Sequence, residues 1–271
     1  MRRADLHTHT TASDGRLSPP GLVQKAHLRG LAALSITDHD TLAAYPTAIL
    51  AAEKAGIELI PGVELSANVH GHDVHLLGYG FDLADAGLRA HLARYREERV
   101  GRAREMVDRM AALGYPVAWE RVLEIAGGGA IGRPHVARAI VEAGHAETIQ
   151  GAFAAFIGDD APAFVPKGEA TPEELIALVH AAGGVCTIAH PATFVRVALV
   201  ERLVAAGLDG IETVHPAHDA DLQAYWRGIA HRFGLIETGG SDYHGFGEHD
   251  DERFGTYTVP AERVRRLRRA A

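Results

Sequence analysis

Histidine and carboxylate side chains recur in five short segments that are spread over the whole chain. The segments are Asp5-Leu-His7-Thr-His9 with Asp14, Thr37-Asp38-His39, Gly62-Val-Glu64 with His75, Ala189-His190-Pro191, and Ser241-Asp242-Tyr-His244. Imidazole and carboxylate ligands without thiolate suit Mn, Fe or Zn, and centres with several such ions are commonly hydrolytic. The five segments together therefore predict a hydrolytic centre with several metal ions.

The spacing within these segments indicates how the ligands would be arranged. His7 and His9 are two residues apart, so on a strand both side chains point to one face, although a buried hydrogen-bonded pair would look the same. Asp242 and His244 repeat this spacing near the other end of the chain. Glu64 ends a hydrophobic run, where a charge is costly unless it is paired or metal-bound. Because a carboxylate has two oxygens, we predict that Glu64 bridges two ions.

Four further polar residues have different predicted roles. His39 is a ligand candidate, whereas the adjacent Asp38 would face the other way on a strand and is predicted to orient a histidine. Asp5 has the same predicted role. His215 either donates a proton to the phosphate or the leaving oxygen, or is a structural histidine before Pro216.

Apolar and β-branched runs alternate with Ala-rich helical patterns along most of the chain. The predicted strands cover residues 32–38, 57–64, 184–190, 210–215 and 234–242, and the predicted helices cover 19–30, 44–56, 171–183 and 198–207. Several helical patterns begin near Pro and end at Gly. This alternation predicts a parallel α/β barrel, in which catalytic groups lie at the C-terminal ends of strands. Each of the five segments falls at such a predicted end, which supports the site independently.

The alternation stops between residues 81 and 170, which are mostly helical. Helices are predicted at about 88–113, 119–126, 134–143 and 148–157. Because this stretch lies between the ligand candidates His75 and His190, we predict a cap that is inserted into the barrel and covers the metals. The predicted division is a barrel of residues 1–80 and 171–271 with a cap of residues 81–170.

The cap contains candidate anion-binding residues around a glycine-rich loop, Gly127–Pro134. Glycines allow close backbone approach, and Arg133 and His135 flank a helix N-terminus, so this segment predicts an anion site. A flexible loop with solvated polar residues is the alternative. Lys167 re-enters the barrel beside the cap and is a second candidate. Arg99, on the long helix, has no acidic residue three or four positions away and is a third.

Composition limits the class of protein. The 271 residues are 47% hydrophobic and 23% charged, with no apolar run long enough to span a bilayer. The chain enters its first motif at once, so we expect no signal peptide. Because Cys186 is the single cysteine, we expect no internal disulfide. Together these expectations favour the cytoplasm. The net charge of -8 argues against a general nucleic-acid coat. Only three of the 27 basic residues are lysines, so bidentate anion recognition by arginine is available.

The quoted motifs resemble those of the PHP (polymerase and histidinol phosphatase) phosphoesterases, a branch of the amidohydrolase superfamily, over residues 5–244. The resemblance implies an α/β fold, a distorted (β/α)7 TIM-like barrel with an inserted helical cap, and three divalent metal ions. Mn²⁺ is the expected ion, with Fe²⁺, Zn²⁺ or Mg²⁺ as alternatives. Asp14 stands where many relatives have histidine and offers a harder oxygen ligand. The implied ligands are His7, His9, Glu64 and Asp242 for the first metal, Glu64, His75 and His190 for the second, and Asp14, His39 and His244 for the third.

Two anion sites, one at the metals and one in the cap, suggest a substrate with two phosphates. The cap also resembles PHP relatives that remove the 3′-phosphate of nucleoside 3′,5′-bisphosphates or trim short 5′-phosphorylated RNA. We expect the first activity, with adenosine 3′,5′-bisphosphate as an example, because no long basic track for RNA is present. The catalytic residues would be Glu64, Asp242 and His215.

Three alternatives remain open. Short 5′-phosphorylated RNA ends could be the substrate of a 5′-3′ exoribonuclease with the same metals. A histidinol-phosphate phosphatase is a second alternative, although its small substrate gives no reason for a cap of this size. A non-catalytic scaffold or polymerase partner is the third, but in this chain every ligand position is filled. We expect no membrane association and no obligate protein partner.

Overall fold

The fold is described by a computed structural model for residues 2–69, 72–166, 170–193, 195–246 and 248–267. Its strands lie in one sheet with the order β7-β6-β5-β4-β3-β2-β1-β8. The strands are β1 (Arg3–Asp5), β2 (Ala33–Ile36), β3 (Glu58–Val69), β4 (His72–Tyr79), β5 (Val185–Ile188), β6 (Gly210–Val214), β7 (Ile236–Gly239) and β8 (Val259–Pro260).

Helices follow most strands and fill the long interval between β4 and β5. Several are capped as their sequences predict: Pro stands in the first turn of α1 and α7, and Thr171 and Glu174 form a capping box on α7. No helix in the described ranges is both long and apolar enough to cross a membrane. The helices are α1 (Pro19–Leu28), α2 (Tyr45–Ala55), α3 (Ala86–Ala112), α4 (Trp119–Ala126), α5 (Arg133–Glu142), α6 (Ile149–Ala152) with a π-helical turn (Phe153–Ile157), α7 (Pro172–Ala181), α8 (Val197–Ala205), α9 (Ala220–Phe233), α10 (Glu248–Arg253) and a 3₁₀ turn (Ala261–Leu267).

The sheet closes into a barrel through the segments that follow β1 and β7. The Leu6 N–H donates to Gly239 O at 3.2 Å, and the Asp242 N–H donates to His7 O at 2.9 Å. β1 to β7 therefore form a ring of seven strands, while β8 pairs antiparallel with the start of β1 outside the ring. This closed α/β arrangement confirms the predicted TIM-like barrel.

The ring is distorted because β4 runs antiparallel to both of its neighbours. β3 and β4 form a long hairpin that continues beyond the predicted strand end at residue 64. Glu64 and His75 consequently lie in the middle of paired strands, so the expectation that every ligand candidate lies at a strand end was wrong for these two. The parallel strand direction that the alternation predicted was wrong for β4.

The helices between β4 and β5 have a hydrophobic core of their own. Residues from Ala103 to Val165 form this second cluster, which includes Met106 and Met110 of α3. The first half of α3 packs elsewhere, because Leu88 and Leu92 belong to the main barrel cluster. α3 thus joins the inserted helices to the barrel, and the predicted cap boundaries at residues 81 and 170 stay a prediction.

Candidate metal centre

The first ligand candidates are positioned by the backbone at the closure of the barrel. A Cβ on Gly240 would lie 2.3 Å from the His7 backbone nitrogen, so only glycine lets the end of β7 pass this close to His7. Asp5 accepts the backbone N–H of Ser241 at 2.9 Å and of Gly255 at 3.2 Å. Burial raises the pKa of Asp5 to about 6, although these hydrogen bonds act in the opposite direction. Asp5 therefore holds the Ser241 segment in place. Among the described residues its hydrogen bond to His7 is from the backbone N–H, 3.5 Å away, and not from the ring, in contrast to the orienting role that the sequence predicted.

The carboxylate of Glu64 lies at the centre of five imidazole rings and is almost fully buried. Burial by itself would raise its pKa, but the surrounding histidines, His39 first, outweigh burial and hold the pKa of Glu64 well below its usual range. The two oxygens face different sets of rings, an arrangement suited to bridging. Oε2 lies 3.2 Å from His7 Nε2, 3.2 Å from His9 Nε2 and 3.3 Å from His39 Nδ1, and Oε1 lies 2.8 Å from His75 Nδ1 and 3.1 Å from His190 Nε2.

Asp242 closes this group from the side of β7. Its Oδ1 lies 3.2 Å from His9 Nε2 and 3.3 Å from His7 Nε2. Asp242 and His190 both have left-handed backbones, with φ of 50° and 24°. Such conformations are costly for residues with a side chain and cluster at functional sites, where the surrounding structure enforces them.

The Asp14 carboxylate lies close to a second set of imidazole rings, next to the set around Glu64. Its Oδ1 lies 3.4 Å from His244 Nε2, and its Oδ2 lies 3.8 Å from His39 Nε2. Burial opposes ionisation of Asp14, but His39 and His244 hold its pKa well below the usual range. The His244 Nδ1 lies 2.9 Å from the Asp242 backbone oxygen, so the Nε2 lone pair is directed to Asp14.

Asp38 supports the loop that carries Asp14. Its oxygens accept the Thr10 N–H at 2.7 Å, the Thr10 hydroxyl at 2.6 Å and the Ser13 hydroxyl at 2.7 Å. Among the described residues its hydrogen bonds are to this loop and to no histidine ring, in contrast to the orienting role that the sequence predicted. Asp38 thereby controls where the Asp14 carboxylate lies.

The donor atoms of these residues fall into groups that suit divalent cations. Within each group the donors lie within 4.8 Å of one another. In the described ranges, neither ring nitrogen of His9 nor the Nδ1 of His39 makes a hydrogen bond, although all three atoms are buried. Buried polar atoms without hydrogen bonds are costly, and a cation would satisfy them. The groups are His7, His9, Glu64 and Asp242; His39, Glu64 and His75; His9, Asp14, His39 and His244; and His7, Glu212 and His215.

Glu212 is a buried acid at the centre that the sequence analysis missed. Its Oε1 lies 3.1 Å from His7 Nδ1, and its Oε2 accepts the His190 backbone N–H at 2.7 Å. Burial would raise its pKa, but His7 outweighs burial and lowers the pKa of Glu212. The signal was present in the sequence, because a glutamate inside the apolar run 210–214 is unusual for a strand that is buried on both faces.

His215 lies beside Asp242 and is buried. Its Nδ1 accepts the Ala217 N–H at 3.0 Å, so the ring proton is on Nε2, which faces Asp242 Oδ2 at 3.3 Å. His218, also missed from the sequence, receives the Ala192 N–H at 3.0 Å and steadies the turn that follows His190. His215 thus holds a proton next to the ligand group.

Arg99 is buried under the cap in an ion pair that its helix neighbours could not reveal. Its Nε and Nη2 donate to Asp40 Oδ2 at 2.7 and 2.5 Å, and Nη2 also donates to the Ser66 hydroxyl at 3.0 Å. Asp40 lies in the loop after β2 and has a left-handed φ of 51°. The structure therefore places Arg99 between barrel and cap, close to the inner face of β3.

Arg133 and the glycine loop make contacts within the protein as well. Arg133 donates to Asp73 Oδ2 at 2.8 Å and to Asp159 Oδ1 at 2.7 Å. The loop is docked on the barrel, because a Cβ on Gly129 would lie 2.7 Å from the Thr11 backbone oxygen. His135 Nδ1 accepts the Gly132 N–H at 3.0 Å. Lys167, the remaining predicted contact, lies outside the described residues.

The sequence of this chain is similar to those of several known proteins. The family model of the PHP domain matches residues 5–118. The 5′-3′ exoribonuclease Rnm of Salmonella typhimurium is 36% identical over 247 residues, which cover 89% of this chain and 84% of that protein. The chain belongs to the PHP family. A second relative of this PHP protein, the 3′,5′-nucleoside bisphosphate phosphatase of Chromobacterium violaceum, is 34% identical over 92% of this chain and 89% of that one.

The fold of a solved structure is also similar. A protein from Bifidobacterium adolescentis, named as a metal-dependent phosphoesterase, superimposes with a TM-score of 0.88 at 34% identity, covering 97% of this chain and 94% of that one. This PHP protein is therefore a metal-dependent phosphoesterase, a hydrolase with His, Asp and Glu clusters suited to binding metals.

Proposed function

We propose that this PHP protein is a phosphatase that removes the 3′-phosphate of nucleoside 3′,5′-bisphosphates and leaves the 5′-monophosphate. The observation that carries the proposal is a line of polar residues on the inner face of the β3–β4 hairpin. Glu64, Ser66 and Asn68 alternate along β3, and Ser66 and Asn68 pair with His75 and Asp73 of β4. Each two-residue step is about 7 Å along a strand.

Two arginines of the cap donate hydrogen bonds to this line of polar residues, at successive two-residue steps from Glu64. Arg99 bonds to Ser66, one step from Glu64, and Arg133 bonds to Asp73, two steps from Glu64. A substrate with one phosphate at the metals and a second phosphate further along the same nucleotide matches this order of charges. The cap therefore supplies the anchor, and the barrel supplies the chemistry.

A third guanidinium group strengthens the positive charge at the cap. Arg99, Arg102 and Arg133 line one small cavity of about 10 Å³. Arg102 Nη2 is buried and has no hydrogen-bond partner among the described residues, and burial lowers the pKa of Arg102 to about 10. The second partner of Arg133, Asp159, is 47% exposed. Because exposed ion pairs contribute little, the 5′-phosphate can replace Asp159 on Arg133 at low cost.

The proposed mechanism assigns the chain's own residues to three tasks. Divalent ions bound here would lower the pKa of water and neutralise phosphoryl oxygens. Glu64 and Asp242 hold their carboxylates toward the ligand group, and His215 holds a proton on Nε2 beside Asp242. The oxygen of water bonds to phosphorus, the bond from phosphorus to the 3′ oxygen breaks, and His215 is the proposed proton donor to that oxygen. His135 and Lys167 stay proposed contacts of the substrate.

The test is phosphate release by the Mn-loaded protein from adenosine 3′,5′-bisphosphate, 3′-AMP and 5′-AMP. We expect rapid release from the bisphosphate, slow release from 3′-AMP, and none from 5′-AMP. Arg133→Ala should raise KM for the bisphosphate at least tenfold. Arg121→Ala is the matched control, because Arg121 is also a cap arginine with two acidic partners, Glu124 and Glu142, at the surface. Higher activity on histidinol phosphate than on any nucleotide would contradict the proposal.

A 5′-3′ exoribonuclease is the second candidate, because the same bond is broken in both reactions. One observation favours it: a cleft of about 910 Å³ opens directly beside Asp14. This cleft is much larger than the space that one phosphate group of a nucleoside bisphosphate occupies. Faster loss of 5′-mononucleotides from a short 5′-phosphorylated RNA than phosphate release from the bisphosphate would favour this reading.

A further inference from the structure

The turn after β5 carries the ligand candidate His190 on a backbone of unfavourable conformation. His190 has a φ of 24° and Ala192 has a φ of 41°, although neither residue is glycine, and Pro191 lies between them. Left-handed conformations of residues with a side chain persist only where the surrounding structure enforces them. The turn is therefore held by contacts outside itself, and the contacts that hold it also set the direction of the His190 ring.

The direction of this ring matters because His190 shares one oxygen of Glu64 with His75. His190 Nε2 lies 3.1 Å from Glu64 Oε1, and His75 Nδ1 lies 2.8 Å from the same oxygen. These three residues are the ligands that the family resemblance implies for the second ion. Glu212 fixes the first residue of the turn, because its Oε2 accepts the His190 N–H at 2.7 Å. The far end of the turn, at Ala192, needs a separate support.

Both backbone polar groups of Ala192 bond to buried side chains that follow β6 in the chain. The Ala192 N–H donates to His218 Nε2 at 3.0 Å, and the Nε1–H of Trp226, on α9, donates to Ala192 O at 3.0 Å. His218 is 2% exposed and Trp226 is 1% exposed. Two directed hydrogen bonds to one residue fix its rotation, which packing against its methyl side chain alone would not do. His218 and Trp226 together thus hold the left-handed residue Ala192.

The His218 ring is itself fixed in position. Because its Nε2 accepts a hydrogen bond, its proton is on Nδ1, which donates to Thr213 O at 3.1 Å. The His218 backbone N–H donates to His215 O at 2.9 Å, and Gln223 Nε2 donates to His218 O at 3.2 Å. Trp226 belongs to the main hydrophobic cluster of the barrel. The support of Ala192 is therefore anchored on its far side as well.

We propose that His218 and Trp226 are positioning residues for the metal ion that His75, His190 and Glu64 would hold. They keep Ala192 in its left-handed conformation and thereby aim the His190 ring at Glu64. When either hydrogen bond is lost, the turn can relax to a negative φ, and the His190 ring then turns away from Glu64. The inference concerns the binding of the ion and holds for any phosphate ester, so it does not depend on the nucleotide substrate proposed above.

The test measures Mn²⁺ binding to metal-stripped protein by calorimetry in the wild type, His218→Asn, His190→Ala and the double variant. Asparagine can keep the bond to Thr213 O, because its amide takes the place of Nδ1, but it is too short to reach Ala192. We expect His218→Asn to weaken the binding of one Mn²⁺ ion about tenfold or more, as the loss of a residue that orients a ligand commonly does. In the His190→Ala chain, His218→Asn should have no further effect, because it acts through that ligand.

Three further variants separate positioning from a general loss of structure. His218→Gln should restore most of the affinity, because the glutamine oxygen takes the place of Nε2 and can accept the Ala192 N–H. Trp226→Phe should weaken binding of the same ion several-fold, because it removes the N–H and keeps an aromatic ring. His180→Asn is the matched control: His180 Nε2 lies 2.7 Å from Asp209 Oδ2, just before the start of β6 and away from the ligand group. This control should leave Mn²⁺ binding unchanged.

Unchanged Mn²⁺ binding in His218→Asn would overturn the proposal. An equal loss with and without His190 would also overturn it, because His218 would then not act through that ligand. Unchanged binding in His190→Ala would do the same, since His190 would not be a ligand. If His218→Asn does not fold, as judged by circular dichroism, Trp226→Phe is compared in the same way with and without His190. Failure of the nucleotide assay described above would leave these results unaffected.

Discussion

The Nδ1 of His7 lies 3.1 Å from Oε1 of Glu212, and both side chains are completely buried. This contact directs the other ring nitrogen of His7 at Glu64 and Asp242. The other carboxylate oxygen of Glu212, Oε2, accepts the backbone N–H of His190. Glu212 therefore positions two members of the ligand group, the ring of His7 and the backbone of His190.

We predict that Glu212→Gln weakens metal binding by about 10- to 100-fold while the fold is kept, because the substitution removes the charge that orients His7. The measurement is a titration of metal-stripped protein with Mn²⁺ by calorimetry. Glu237→Gln is the matched control, since Glu237 lies on the adjacent strand and pairs with Arg263 away from the ligand group. Equal affinities for the two variants would show that Glu212 is only a packing residue.

Asp14 gives a test of the proposed third ion. Asp14→Asn keeps the shape of the side chain but removes the charge that His39 and His244 face. We expect the variant to bind one Mn²⁺ fewer per chain than the wild type at limiting metal, with the remaining ions retained. The measurement is metal content by mass spectrometry after desalting, and Asp159→Asn is the control. An unchanged metal content would contradict the assignment of Asp14 as a ligand.

The Arg99–Asp40 pair predicts a large effect on stability. Arg99→Met should lower the free energy of unfolding by about 3–5 kcal/mol, because Asp40 is left charged and buried. Asp40→Asn in the same chain should recover part of this loss, since asparagine tolerates the left-handed backbone. Urea unfolding measures both. Arg94→Met, at an exposed arginine of the same helix, should change stability by no more than about 0.5 kcal/mol. A similarly small loss for Arg99→Met would mean that the Arg99–Asp40 ion pair contributes no more to the free energy of unfolding than an exposed ion pair does.

Removal of metal should destabilise the whole barrel. The ligand candidates come from segments after β1, β2, β5 and β7 and from β3 and β4, so an ion would link these elements. We expect Mn²⁺ at 100 times its Kd to add about 2.7 kcal/mol to chelator-treated protein, seen as a higher unfolding temperature. Asp242→Asn should show a smaller rise. No shift on addition of Mn²⁺ would argue against binding in the native state.

Local sequence patterns were sufficient for much of the fold but not for β4. The strands near residues 33, 185, 210 and 236 were predicted because each is a short apolar run between turn signals, and α4 was predicted with its observed bounds. β4 was not, because an antiparallel direction is decided by pairing across space. Leu77 pairs with Thr187 of β5, 110 positions along the chain, and no local pattern reports that contact.

Because local patterns do not report contacts across space, they also could not show that Arg99, a predicted anion contact, pairs with an acid of the protein. Arg99 has no acid three or four positions away, which made it a candidate for ligand binding. Its partner Asp40 is 59 positions away and meets it only when the cap lies on the barrel. Glu212 shows the converse: its unusual position inside an apolar strand was visible in the sequence, but its partner His7 was not.

The sequence by itself determined most of the donor residues, and the two-residue spacing of His7 and His9 predicted that these two side chains share a face. Tertiary structure decided which donors meet. Closure of the ring between the segments after β1 and β7 brings Asp242 within 3.3 Å of His7, although the two are far apart in the chain. Periodicity depends on neighbouring residues alone, whereas distances between ligands depend on how all seven strands close.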